Sequence, residues 1–247
     1  MSGSIRGAAV YWNEDPDKLV FLLEELCCEM KESELANPVV VDCRKGKKPP
    51  HFFLSDCRDY GIRSLKGIAR GEIPYLLPSA AASLAKGDQP PESYFYLFLT
   101  DEESIEDVYA LVDDVLFVCR ANPDSVSVLF RLVSRYRFHA GRCPRFHAFV
   151  SGLPKIEDAA QFFVTLRDEI VKLGDTRAEI LFGGFCAIDF EKIEISRSHG
   201  LFYREAFKGD SFYGQLLYSA RNFLKKTEPV ETDLGAVGFI QRFLVAT

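Results

Sequence analysis

The chain has 247 residues, with 30 Lys and Arg against 36 Asp and Glu, so its formal net charge is −6 and its isoelectric point lies near 5.4. Hydrophobic residues make up 47% and charged residues 27%, which excludes a disordered chain and supplies ample material for a core. The acidic balance argues against a general polyanion binder, because nucleic-acid affinity rests on Lys and Arg neutralising phosphates.

Apolar runs of strand length recur at Ile5–Trp12, Pro38–Asp42, Tyr75–Leu77, Tyr94–Leu99, Val115–Cys119, Phe146–Val150 and Ile180–Ile188. Helical periodicity separates them. Pro16–Met30 sets Leu19, Leu22, Leu23 and Leu26 at i, i+3, i+4 and i+7, and Ser125–Tyr136, Ile156–Leu173 and Phe212–Leu224 repeat the pattern. Asp15 as N-cap with Pro16 at the first helical position, and Pro123 with Asp124 and Ser125, are helix openings. The alternation predicts an α/β fold: one doubly wound domain over 1–226, with a mostly parallel sheet, helices on both faces and its crevice beyond the carboxyl ends of the strands. Lys225–Glu231 reads as a polar linker, so 227–247 is expected to be a linker plus a C-terminal amphipathic segment. Gly183-Gly184, inside the last strand, reads as a bulge or bend.

Seven cysteines without a C-x-x-C pair signal neither a disulfide framework nor a zinc site, and a reducing cytoplasm is the expected location. No apolar run has the length of a signal peptide or a membrane span. The four histidines, at 51, 139, 147 and 199, form no ligand pair, and His139 and His147 stand among Arg135, Arg137, Arg142 and Arg145, so no metal is expected. The arginine-rich stretch Arg131–Arg145 fits a solvated helix end or a patch for an acidic protein partner.

Several segments, taken in order over roughly residues 5–226, resemble the MinD/ParA family of deviant P-loop ATPases, including its flagellar member FlhG. Val39-Val-Val-Asp42 followed by Gly46 is similar to the family's second strand and glycine turn. Tyr60–Glu72 is similar to its next loop and helix, and Tyr75-Leu-Leu-Pro-Ser79 to the strand that follows. Tyr96-Leu-Phe-Leu-Thr-Asp101 stands at its Walker B strand, and Ala110–Val126 resembles its strand ending in a proline-led helix start. Ile188–Gly200 and Asp210–Gly214 resemble its closing segments. The resemblance implies a P-loop NTPase-like fold, with nucleotide-site positions at Asn13, Lys18, Asp42, Asp101 and Ser151.

The sequence departs from the family at the phosphate loop, where Tyr11–Val20 contains no glycine. A phosphate cradle needs glycines so that backbone N–H groups converge, a lysine for the β/γ charge, and a hydroxyl for Mg²⁺. Only Lys18 supplies one of these parts, while Glu14, Asp15 and Asp17 place carboxylates where a triphosphate needs cations, each close like-charge contact costing about 4 kcal/mol at an effective dielectric of ~20. Asp42 and Asp101 are then either Mg²⁺ and water-positioning carboxylates, as the resemblance implies, or well-solvated acids at strand ends. Gly238-Phe-Ile-Gln-Arg-Phe-Leu244 resembles the family's membrane-targeting tail. As a helix it groups Val237, Ile240, Phe243 and Leu244 on one face, borders them with Phe239, and turns Gln241 and Arg242 away.

These features lead to the expectation of a pseudo-ATPase that takes no cofactor, has no catalytic residues and acts as a regulatory or scaffolding module. A protein partner, a nucleotide-independent dimer and weak peripheral contact with the inner face of the membrane are the expected interactions, and nucleic acid is not among them. An active ATPase with an unorthodox phosphate site is the alternative.

Overall fold

The computed structural model describes residues 3–12, 16–44, 62–65, 73–76, 95–105, 108, 112–139, 145–174, 178–187, 189, 191–192, 195, 198–199, 206–207, 209–227 and 230–232. The strands are β1 (Gly3–Trp12), β2 (Pro38–Asp42), β3 (Ile62–Leu65), β4 (Ile73–Leu76), β5 (Phe95–Thr100), β6 (Asp114–Arg120), β7 (Arg145–Ser151), β8 (Glu179–Cys186) and β9 (Val230–Thr232). The helices are α1 (Pro16–Glu32), α2 (Pro123–His139), α3 (Ile156–Leu173) and α4 (Ser211–Lys226).

They form one sheet in the order β3-β4-β2-β5-β1-β6-β7-β8, with β9 pairing β1. Every neighbouring pair from β4 to β8 is parallel. The strands are apolar runs because both of their faces are covered: every residue of β2 and β5 is buried. One face packs Ala8, Val10, Leu97 and Leu116 against Leu22, Leu23 and Leu26 of α1 and Leu216 and Phe223 of α4. The other packs Ala9, Phe98, Val115 and Phe117 against Leu129 and Leu132 of α2 and Leu166 and Ile170 of α3. The expected doubly wound α/β architecture is what the chain adopts.

Local chemistry sets the helix starts. Asn122 Oδ1 accepts the Ser125 N–H at 3.0 Å ahead of Pro123, and Asp210 accepts the Phe212 N–H at 3.1 Å to open α4. Helix α1 begins at Pro16 as expected; its proposed cap, Asp15, lies outside the described residues.

Helix α4 also covers the edge of the sheet. Its side chains at 215, 219, 222 and 226 share one face, and each bonds the backbone beside or on β8. Gln215 Oε1 accepts from Ala187 N (2.7 Å), Ser219 Oγ both accepts from Phe185 N (2.9 Å) and donates to Phe185 O (3.0 Å), and Asn222 and Lys226 donate to Phe182 O (2.6 and 3.0 Å). An open edge that would otherwise attract another strand is thereby occupied. The bulge expected at Gly183-Gly184 is present, since Ala148 aligns with Phe182 but Phe149 aligns with Gly184. At Gly184 φ is +146°, and a Cβ would lie 2.3 Å from Ser219 Cβ and Oγ, so glycine is what lets α4 approach.

Two expectations are corrected. Within Tyr60–Glu72, expected as loop and helix, Ile62–Leu65 is a strand antiparallel to β4. Its four residues are apolar only at the two ends and carry no period-2 signal, so the strand is set by pairing with β4 and not by local pattern. Within the supposed linker Lys225–Glu231, helix α4 runs on to Lys226, and Val230–Thr232 pairs antiparallel with Gly3–Ile5. The free flank of β1's first residues provides the pairing partner that a local reading of 225–231 could not see.

Candidate functional site

In an open parallel sheet, a ligand crevice forms beyond the carboxyl ends of the strands, where the chain changes direction of travel across the sheet. Here that place is around β1. The chain reaches β2 and β5 on one side of β1 and then crosses to β6 on the other.

Strand β1 ends at Trp12 and α1 begins at Pro16, so Asn13, Glu14 and Asp15 are the whole connection. Asn13 lies outside the described residues, and Lys18 lies in the first turn of α1 with its side chain outside them.

Asp42 closes β2. It is buried rather than solvated, because Arg44 grips it with both forks: Nε to Oδ1 and Nη2 to Oδ2, each at 2.8 Å, with the Arg44 backbone N–H adding a bond at 3.2 Å. Asp101 follows β5 and is half-buried. Its Oδ1 accepts from Glu103 N (3.1 Å), Ser104 N (3.0 Å) and Ser104 Oγ (2.9 Å), capping a helical turn in which Ile105 N–H bonds Asp101 O. The reading of a solvated strand-end carboxylate is therefore corrected for Asp42, which Arg44 encloses, while Asp101 stays partly open to solvent. Ser151 closes β7 and is buried, its Oγ donating to Cys119 O of β6 at 3.0 Å.

Of the neighbouring groups, Arg131 and Arg135 belong to the arginine-rich stretch read from sequence, whereas Tyr11, Arg44 and Glu102 were not singled out as site residues. Tyr11 sits at the end of β1, stacked on Phe117, with its hydroxyl 3.5 Å from Glu102 Oε1. Burial, reinforced by the Glu102 charge, pushes the Tyr11 phenol up to about 12. Arg131 and Arg135, one turn apart on α2, both reach Glu102: Arg131 Nη2 lies 3.5 Å from Oε1, and Arg135 Nη1 donates to the backbone carbonyl at 3.1 Å. The position of Arg44, two residues after a strand-end acid, is a signal from which its pairing could have been found.

Arg145, at the far end of the stretch Arg131–Arg145, does not continue this surface. Arg145 opens β7 and holds Asp114 of β6 through Nε (3.0 Å) and Nη2 (2.8 Å), while His147 Nε2 lies 2.6 Å from Asp114 Oδ1. Asp114 and His147 are fully buried at the amino-terminal edge of the sheet, opposite the crevice. That removes Arg145 from the patch expected over 131–145. The reason is strand register, which sets Asp114 beside Arg145 across a separation that the local sequence does not reveal.

Cys186, at the end of β8, has its thiol pushed up by burial, which disfavours a nucleophilic role. No three His, Cys, Asp or Glu side chains gather as a metal-holding group among the described residues. Nor is any helix among them long and apolar enough to cross a membrane. The docking positions Val237, Phe239, Ile240, Arg242, Phe243 and Leu244 lie outside the described residues.

The sheet order and the helices on both of its faces give the chain a fold like that of solved ParA and MinD structures. No family model and no curated protein sequence matches the chain. Solved structures do. MinD in the MinC:MinD cell division protein complex of Aquifex aeolicus is 12% identical, with a TM-score of 0.58, over 92% of this chain and 99% of that one. The ParA family ATPase of Chlorobium tepidum is 10% identical, with a TM-score of 0.56, over 89% and 98%. The pNOB8 ParA bound to nonspecific DNA is 8% identical, with a TM-score of 0.54, over 88% and 99%. Likeness at these identities establishes the fold and leaves the chemistry to the site.

Proposed function

We propose that this chain is a MinD/ParA-fold protein that acts by binding, as a regulatory or scaffolding module, rather than by turning over ATP. The observation that carries this reading is the three-residue connection between β1 and α1. A P-loop spans G-x-x-x-x-G before its lysine, and its backbone N–H groups wrap the phosphates. Three residues without glycine give too little chain to form that cradle. The committed side chains agree: Asp42 is occupied by Arg44, Asp101 by its own helical turn and Ser151 by the Cys119 carbonyl, so an Mg²⁺-triphosphate would have to displace existing bonds.

A protein is the favoured partner. The net charge of −6 disfavours DNA, and Arg131 and Arg135, exposed on α2, are already turned onto Glu102. The MinD neighbour was solved with a protein, MinC, whereas the pNOB8 neighbour was solved on DNA. The folded unit would lie in the cytoplasm, with the segment 233–247 as a separate docking element for a partner or the membrane surface through Val237, Phe239, Ile240, Arg242, Phe243 and Leu244. Self-association would be independent of nucleotide.

Titration calorimetry of the intact chain with ATP and Mg²⁺ tests the proposal, and no saturable heat is expected. A dissociation constant in the low micromolar range that is lost in Lys18→Ala would overturn it and revive the ATPase with an unorthodox site. Sedimentation with and without ATP should give the same mass; a dimer formed only with ATP counts equally against the proposal.

A further inference from the structure

Helix α3 turns Ala159, Leu166 and Ile170 inward, and its opposite face carries Glu157, Gln161, Val164, Asp168 and Val171 at i, i+4, i+7, i+11 and i+14. Val164 and Val171 are 39% and 62% exposed there, two turns and about 10 Å apart on one line. A single exposed valine needs no explanation. Two in line on the outermost face are unfavourable choices for a solvated helix, because the branched side chain loses rotamer freedom that Lys, Glu or Gln keeps. One ion pair sits between them. Arg167 and Asp168 bracket the line, with Arg167 Nη2 and Nε 3.0 and 3.2 Å from Asp168 Oδ1 and both side chains half-exposed.

We infer that this strip is the contact through which two copies of the chain associate, α3 packing antiparallel on α3 about a two-fold axis that passes between residues 167 and 168. The strip is its own complement. A half-turn about that point exchanges Val164 with Val171 and Arg167 with Asp168, so each valine meets a valine of the second copy and each cation meets a carboxylate. The helix ends select the same direction. Glu157 and Asp158 lie in the first turn of α3 and Lys172 in its last, so antiparallel packing sets the acidic, amide end of one helix toward the basic, carbonyl end of the other, whereas parallel packing would oppose like charges and like dipoles. The outward groove of α4 lacks this self-match: Arg221 and Lys225 line it with no carboxylate, so a second copy laid there would bring cations together. The 18 residues of α3 span about 27 Å. One pair of such helices lies at the low end of specific contacts, whose standard size is about 1,600 Å² in total, so the dimer is a reversible one that dilution dissociates. This inference deepens the nucleotide-independent self-association proposed above and rests on that reading.

Sedimentation velocity of the intact chain from micromolar to submillimolar concentration, with and without ATP and Mg²⁺, should show a monomer–dimer equilibrium that nucleotide does not shift. Val171→Glu should weaken association by more than about tenfold, because two-fold symmetry alters the contact twice. Its melting temperature should not fall, since glutamate is the better helix former. Charge exchange tests the register. Arg167→Asp alone brings four carboxylates together and Asp168→Arg alone brings four guanidinium groups together, so each variant should be monomeric, whereas a mixture of the two sets acids against bases and should form a heterodimer. A dimer that survives Val171→Glu, or charge variants that stay monomeric when mixed, overturns the inference and leaves nucleotide-independent association standing. A monomer at every concentration, with and without ATP, also overturns it while giving nucleotide no role. A dimer that forms only with ATP refutes the reading on which the inference rests.

Discussion

Replacing Asp42 with Ala separates a structural carboxylate from a metal-site carboxylate. Asp42 and Arg44 are each only 3% exposed in their side chains and are joined by two bonds of 2.8 Å. Removing the acid would leave a guanidinium shut away from water without its bidentate acceptor, a type of change that costs about 3–5 kcal/mol. For a chain of this size each kcal/mol moves the melting temperature by about 2–4 °C, so Asp42→Ala should melt roughly 6–20 °C lower. A double variant, Asp42→Leu with Arg44→Met, removes both charges and should recover most of that loss, because an apolar pair of similar volume avoids desolvating either ion. Circular dichroism melts and urea unfolding of the wild type and both variants, with and without ATP and Mg²⁺, provide the readout. An unchanged midpoint for Asp42→Ala, combined with the loss of an Mg²⁺-dependent nucleotide signal present in the wild type, would refute the structural assignment and return Asp42 to a catalytic site.

Other outcomes follow from the same geometry. Gly184→Ala forces a Cβ onto Ser219 at a φ of +146° and should cost about 1–3 kcal/mol in backbone strain alone, with faster amide exchange along α4; equal exchange in both proteins would contradict the close approach. Asp101→Ala should lose about 1 kcal/mol of capping and loosen the turn at Ser104–Ile105, whereas Asp101→Asn, which keeps Oδ1 as an acceptor, should lose less. The folded state holds the Tyr11 phenol protonated up to about 12 while an unfolded tyrosine ionises near 10. Stability from this residue is therefore intact below pH 10 and declines between pH 10 and 12, by roughly 2–3 kcal/mol for a shift of two units. Tyr11→Phe should flatten that alkaline decline, and an unaltered slope would show that the phenol is not protected.

The sequence by itself determined the alternation of strand and helix, because a doubly covered parallel sheet demands unbroken apolar strands and amphipathic helices, and both periods are written locally. Pro38-Val-Val-Val-Asp42, Phe95–Thr100 and the helix openings at Pro16 and Asn122-Pro123 needed no tertiary information. The missing glycines between Tyr11 and Val20 were legible in the same way, since a phosphate cradle is a local backbone requirement. Tertiary structure decided whatever depends on register or on a partner far along the chain. A carboxylate at a strand end looks solvated in sequence, yet Arg44 folds back over Asp42, and Glu102 draws Arg131 and Arg135 across from another element. Asp114 becomes the partner of Arg145 and His147 only when β6 and β7 align. Gly184 acquires its purpose only when Ser219, 35 residues later, comes to rest on it. Val230–Thr232 is polar enough to read as a linker until the exposed flank of Gly3–Ile5 offers it backbone groups to pair with. Periodicity reports which face is buried; it carries no information about which distant side chain or strand does the burying.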